Sequence, residues 1–212
     1  MPTRTRIKIC GIRTADIAHA AIDAGADALG FVFVRSSARF VEPETAADIM
    51  WSLPPMVTTV GVYMNASIDT FSDIEELCPT HYAQLHGNED EPTVRACGPA
   101  IKAIRYDAAT IRDDLQRWSA IDEVDSILVD GSAGGEGVGL DWSGLAAAVQ
   151  EVGLTIPLIL AGGLRPDNIA EAIRIVRPYA VDVSSGVERD RGDKDPALIE
   201  AFCQAAREAD RA

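Results

Sequence analysis

A thiol and a carboxyl group each end an apolar run in this chain: Cys10 closes RIKIC and Asp130 closes DSILVD. An ionised thiol can take a proton and a carboxylic acid can give one, so the two suit general acid–base chemistry. Ordinary ionisation works against both. Near pH 7 only on the order of a few per cent of a thiol is thiolate, and about one aspartic acid in a thousand is protonated. For such chemistry the surroundings would have to tune both groups. From spacing alone the commoner use of a lone cysteine is as a small buried hydrophobe, and Asp130-Gly131 reads equally well as a turn opener.

Two further positions suit an anion. Gly162-Gly163 follows the run IPLILA, and Ser185-Gly186 follows YAVDVS. Glycine lets backbone N–H groups approach a phosphate closely and accepts positive φ, while Ser185 adds a hydroxyl donor. The alternative is a pair of routine strand-to-helix turns. Arg39, in SSARFV, is a candidate counter-charge for a substrate carboxylate or phosphate, because its guanidinium offers paired donors.

The elements that must position these groups follow from an alternation. Short β-branched runs are each succeeded by a stretch with helical spacing, from RIKIC and TADIAHAAIDAG to YAVDVSSG and DPALIEAFCQAAREAD. The count is eight such units of roughly 26 residues, the length and number that close a (βα)8 TIM barrel, an α/β fold, here as one domain over residues 1–212. Runs such as Ile127 to Val129 and Ile156 to Ala161 are apolar at consecutive positions, as in parallel strands buried on both faces. An open doubly wound sheet is the other architecture of this pattern. Against it, the first turn, CGIRTADI, lacks GxGxxG and no break in spacing marks a switch in strand order.

In a barrel, function gathers at the C-terminal ends of the strands. Strand parity puts Ile7 and Ile9 on one face and Lys8 and Cys10 on the other. If the isoleucines pack on helices, Cys10 points inward at the mouth, and the same parity groups Ser126, Leu128 and Asp130.

Composition excludes several classes of partner. With 33 acidic against 19 basic residues the net charge is -14, so no broad surface for nucleic acid or anionic membrane is expected, and an anionic substrate needs a local positive site. No run approaches the roughly 18 apolar residues of a membrane span, and the basic start is not followed by an apolar stretch, so a soluble, cytoplasmic protein is expected. Cys10, Cys78, Cys97 and Cys203 form no CxxC pair and should be reduced thiols. His19, His81 and His86 give no metal-ligand spacing, so no metal site is expected. Nothing in the sequence speaks to oligomeric state.

KICGIRTADIAHAAIDAGADALGFVF, SSARFV, VGVYMN, QLHGNE, LVDG, GGEGVGLDW, LAGGLRPDNI and VDVSSGVE followed by GDKD resemble, in order and spacing, the phosphoribosylanthranilate isomerases of tryptophan biosynthesis. The resemblance spans essentially the whole chain, and KICG and VDVSSGVE are particular to that family. It implies Cys10 as general base, favoured as thiolate by positive potential to which Lys8 would contribute, Asp130 as general acid, favoured by partial burial, Arg39 as a substrate-binding residue, and Gly162, Gly163, Ser185 and Gly186 as the phosphate site. The implied reaction is the Amadori rearrangement of N-(5-phosphoribosyl)anthranilate to 1-(2-carboxyphenylamino)-1-deoxyribulose 5-phosphate, without a cofactor. GGEGVGLDW departs from the family pattern at Glu136 and Leu140, where a GKT-like or GET-like stretch before FDW is usual. Another phosphosugar isomerase, such as the histidine-pathway enzyme, would carry Asp where Cys10 stands, and indoleglycerol phosphate synthase would place lysine and glutamates at the strand ends. A non-catalytic barrel that binds a phosphorylated metabolite could keep the same phosphate loops.

Overall fold

The computed structural model describes residues 4–131 and 140–211. Eight parallel strands close a barrel in sequence order: β1 (Arg6–Cys10), β2 (Ala28–Val32), β3 (Thr58–Tyr63), β4 (Tyr82–Leu85), β5 (Ala100–Arg105), β6 (Val124–Asp130), β7 (Leu158–Ala161) and β8 (Ala180–Val183). β8 pairs back onto β1, so the open-sheet alternative is excluded. The helices are α1 (Ala15–Asp23), α2 (Pro43–Trp51), α3 (Ile68–Leu77), α4 (Glu91–Ala96), α5 (Ile111–Ser119), α6 (Trp142–Val152), α7 (Ile169–Val176) and α8 (Pro196–Ala209).

Local chemistry sets where the helices begin. The Thr14, Ser67, Asp90, Asp141 and Asp195 side chains each accept a backbone N–H in the first turn of the helix that follows. Pro43 and Pro196 open α2 and α8, where the missing N–H costs nothing.

Strand parity divides the side chains between two cores. Ile7, Ile9, Leu29, Phe31, Ile127, Val129, Leu160 and Val181 face outward into one large cluster with the helices. Val60, Ile101, Ala103, Leu128, Ile159, Ala161 and Ala180 fill the barrel interior, with Cys10, Val32 and Val62 forming a smaller cluster. The interior is thus plugged with side chains, and a ligand has access only at the ends. Cys78, Cys97, Cys203 and Cys10 are all buried and unpaired.

One element falls outside the eight-unit expectation. After β8, Ser185–Val187 makes a 3-10 turn, and the chain then forms an antiparallel ribbon of β9 (Glu188–Asp190) and β10 (Asp193–Lys194) before α8. Gly192, at φ 86°, makes the reversal. The segment ERDRGDK is too polar and short for hydrophobic alternation to reveal it. It brings Glu188 within hydrogen-bond distance of Arg39 and of Lys194.

Candidate active site

The ends of β1, β6, β7 and β8 converge on one cavity of about 300 Å³ that Cys10, Arg39, Asp130, Gly162, Gly163 and Ser185 all line. A wider cavity, about 840 Å³, adjoins it on the β4–β6 side and shares His86 and Asp130. Gly186 alone of the expected site residues does not line the smaller cavity. A β-carbon on Gly186 would lie 1.8 Å from the Leu164 carbonyl oxygen, so Gly186 lets the loop after β8 press against the loop after β7. The amides of Gly163, Ser185 and Gly186 form no hydrogen bond among the described residues. Gly162 (φ 86°) and Gly163 (φ 69°) are left-handed, and Asn168 holds the Gly163 carbonyl at 3.0 Å from the start of α7.

Cys10 is buried, and its main neighbours are an ion pair. Lys8 lies directly across from Asp182 in the β1–β8 register, and its Nζ donates to Asp182 Oδ1 at 2.9 Å. Burial pushes the Cys10 thiol above its ordinary value, Lys8 pulls it down, Asp182 pushes it up and Lys194 pulls it down, with burial the largest effect. The expectation that positive potential makes Cys10 a ready thiolate is therefore corrected: Lys8 acts in the expected direction, but desolvation of the charged form outweighs it. Burial also works against the Lys8 ammonium, yet Asp182 and the Cys10 sulfur hold its ionisation above the usual lysine value.

Asp130 ends β6 with its side chain 21% exposed, and its Oδ2 lies 3.3 Å from His86 Nε2. Gly162 makes room for it: a β-carbon there would come within 2.6 Å of Asp130 Oδ1 and 2.2 Å of the Gly131 amide nitrogen. Of the two departures from the resemblance, Glu136 lies outside the described residues, and the Leu140 side chain sits close over Gly131.

Arg39 reaches the mouth from the loop after β2. Its Nε and Nη2 donate to Glu188 Oε1 and Oε2 at 2.7 and 2.8 Å, and Lys194 Nζ donates to Glu188 Oε1 at 2.6 Å. Burial raises the Glu188 carboxyl, but the Arg39 and Lys194 hydrogen bonds and the Gly192 amide overcome it and hold the group down at about 2. Lys194 also donates to the Ser184 carbonyl at 3.0 Å, and the Ser184 hydroxyl donates to the Cys10 carbonyl at 3.0 Å. One network thus connects Arg39 to the backbone ends of β8 and β1.

Residues 7–205 match the family profile of N-(5'-phosphoribosyl)anthranilate isomerase. The chain belongs to this family. A relative named N-(5'-phosphoribosyl)anthranilate isomerase from Pseudomonas fluorescens is 46% identical over 208 residues, covering 95% of each chain. One of the same name from Desulfitobacterium hafniense is 43% identical over 231 residues, with 95% of this chain and 97% of the relative covered. Among solved structures, the phosphoribosyl anthranilate isomerase from Thermotoga maritima superposes with a TM-score of 0.87 at 36% identity, covering 96% of this chain and 99% of that one. A phosphoribosyl anthranilate isomerase in complex with reduced 1-(o-carboxyphenylamino)-1-deoxyribulose 5-phosphate superposes with a TM-score of 0.85 at 35% identity, with 96% and 99% covered.

Within this isomerase scaffold, several groups at the mouth escape a reading by strand ends. Asp182 and Gln84 lie within their strands rather than at the ends, and Gly30 sits beside Cys10 in the β1–β2 register. A β-carbon on Gly30 would meet Cys10 Sγ at 2.8 Å and Lys8 Nζ at 3.1 Å. A signal was present for the first: Lys8 and Asp182 are opposite charges in otherwise apolar runs on the two strands that close the barrel. His86 gave no metal spacing, and its link to Asp130 joins β4 and β6, which are not neighbours in the sheet, so no local pattern shows it. Among the described residues no group of acidic, histidine or cysteine side chains could hold a metal, and no helix is long and apolar enough to cross a membrane.

Proposed function

We propose that this member of the family catalyses the Amadori rearrangement of N-(5'-phosphoribosyl)anthranilate with Asp130 as general acid and Cys10 as general base. The observation that carries the reading is a carboxyl and a thiol from β6 and β1 facing one cavity whose far wall is two glycine-bearing loops. The substrate phosphate would lie on the amides of Gly163, Ser185 and Gly186, which offer donors without an added charge. Arg39, braced by Glu188, faces the anthranilate carboxylate.

Asp130 donates its proton to the furanose ring oxygen as the C1–O bond breaks, giving an open iminium. The iminium withdraws electrons and acidifies the proton on C2, which the Cys10 thiolate removes to give an enolamine. Protonation of the enolamine at C1, the carbon that bears the nitrogen, and loss of the C2 hydroxyl proton yield the ketose, so no electrons leave the substrate. A thiolate formed against burial is scarce, but it is correspondingly the stronger base. The steps are proton transfers and the opening of one C–O bond, so no redox cofactor is needed.

The experiment follows loss of anthranilate-type fluorescence from freshly prepared phosphoribosylanthranilate, with the parent, Cys10→Ala and Asp130→Asn. The parent turns over and each variant loses at least ~100-fold in kcat, the lower range for a general acid or base. A Cys10→Ala enzyme at parental rate would remove the thiol from the mechanism, and an inert parent that still binds the product analogue would make the chain a binding barrel.

A further inference from the structure

We propose that Gln84 and His86 are positioning residues for the acid: the Gln84 amide fixes His86 as its Nε2–H tautomer, and that N–H holds the Asp130 carboxyl through Oδ2. The inference rests on Asp130 as the acid, and it explains why a glutamine lies inside an otherwise apolar stretch of the barrel wall.

Gln84 is 1% exposed, facing inward from β4. Its Nε2 lies 3.0 Å from His86 Nδ1. With the amide in this orientation its nitrogen donates and Nδ1 accepts, which in a neutral imidazole places the single proton on Nε2. Nε2 is the atom 3.3 Å from Asp130 Oδ2. Gln84 Oε1 is buried without a partner among the described residues. Such an orphan is destabilising, and a leucine or methionine at this position would avoid it. The orphaned oxygen is the consequence of aiming the other end of the amide at His86.

The backbone that carries His86 is held as firmly as its ring. Its own N–H donates to the Tyr63 carbonyl at 2.8 Å, extending the strand ladder by one residue. On either side, Lys102 Nζ donates to the Leu85 and Gly87 carbonyls at 3.3 and 2.9 Å, and to Glu89 Oε2 at 2.6 Å. Glu89 Oε1 in turn accepts from the Asn65 and Gly87 amides, both at 2.9 Å. Lys102 and Glu89 are buried, so the loop after β4 is clamped from beneath by a desolvated ion pair.

Held in this way, an N–H donor faces the carboxyl as negative charge develops on it during proton donation. The donor stabilises that charge in the transition state and costs no reorganisation, and it fixes the angle from which the acid approaches the ring oxygen.

The test has two arms. Nitrogen-15 NMR of the histidine-labelled parent shows His86 protonated at Nε2, and in Gln84→Glu, whose carboxylate can only accept, the proton moves to Nδ1. This arm does not depend on turnover, so it still reads if Asp130→Asn proves the acid assignment wrong. In kinetics, His86→Ala lowers kcat by about 10–100-fold with KM within about twofold, part of the 10²–10⁴ a general acid contributes. His86→Gln, whose amide N–H can reach the place of Nε2, recovers most of that loss. A parent with the proton on Nδ1 overturns the proposal. So does a His86→Ala enzyme whose loss lies in KM at unchanged kcat, which would make His86 a binding residue. If Gln84→Glu does not fold, the parent tautomer and the His86 pair decide alone.

Discussion

Lys8 and Asp182 face each other across the seam where β8 closes the barrel onto β1, and their ion pair, 2.9 Å long and almost fully desolvated, lies directly behind Cys10. Such a pair is weak evidence for stability, because removing two charges from water costs about as much as their attraction returns. Its position gives it a function instead. Among the charges that act on the thiol Lys8 pulls it down most and Asp182 pushes it up, so the two set opposite pulls on one proton.

Lys8→Met removes the main influence that opposes burial, so the Cys10 thiol moves further up. Asp182→Asn removes an influence that pushes up, so it moves down. The rate of iodoacetamide labelling at Cys10 against pH, followed on the Cys10 peptide, reads both directly. In the parent, labelling rises with pH through neutrality into the alkaline range, because the thiolate fraction is still growing there. Labelling profiles that coincide in the parent and both variants would mean that the ion pair does not act on the thiol.

Glu188 makes a contribution to stability whose pH window follows from its sign. Its carboxyl is held at about 2 when folded, against a reference of 4.5. A lowered carboxylate stabilises the fold above its unfolded value and loses that contribution as pH falls through the folded one. Glu188→Gln therefore lowers stability by about 2–3 kcal/mol at pH 6–7, and parent and variant converge as pH falls from about 4.5 towards 2. Urea titrations at several pH values measure this, and a pH-independent difference would contradict it. The same variant releases Arg39 from its brace, so its KM rises more than its kcat falls.

The glycines at the phosphate end should differ sharply. Gly186→Ala places a methyl group 1.8 Å from the Leu164 carbonyl and separates the two loops, so KM rises at least ~10-fold. A β-carbon on Gly163 meets nothing within 4 Å, and only its φ of 69° is strained, a cost of about 1 kcal/mol. Gly163→Ala consequently folds with a small loss in Tm and keeps much of its affinity. Equal KM values for the two variants would show that loop-to-loop contact does not build the phosphate site.

The barrel was legible because its signal is repeated: eight apolar runs, each followed by helical spacing, average out local ambiguity. Cys10 and Asp130 were legible because they end such runs, and their inward direction followed from parity with Ile7, Ile9 and Leu128. What the sequence hid are relationships between strands. Lys8 meets Asp182 across 174 residues, and Arg39 meets Glu188 across 149. No periodicity encodes the register that joins them. The net ionisation of Cys10 was hidden for another reason: a nearby lysine can be read from RIKIC, but the depth of burial that outweighs it depends on the packed barrel.

Gly30 tests how closely the Cys10 surroundings are fitted. Its register partner is Cys10, and a β-carbon there would come within 2.8 Å of Sγ, 3.1 Å of the Cys10 Cα and 3.1 Å of Lys8 Nζ. The sulfur and ammonium can swing aside but the Cα cannot, so Gly30→Ala shifts the end of β1 by a few tenths of an ångström. Overpacking of this size costs about 1–3 kcal/mol, which a barrel of this size survives. The catalytic loss is larger in proportion, because a displaced base meets the C2 proton at the wrong angle. Gly30→Ala should fold, with a Tm lowered by several degrees, and lose about 10–100-fold in kcat at nearly unchanged KM. Parental kcat with a lowered Tm would show that Gly30 serves only packing and that the placement of Cys10 tolerates a shift of this size.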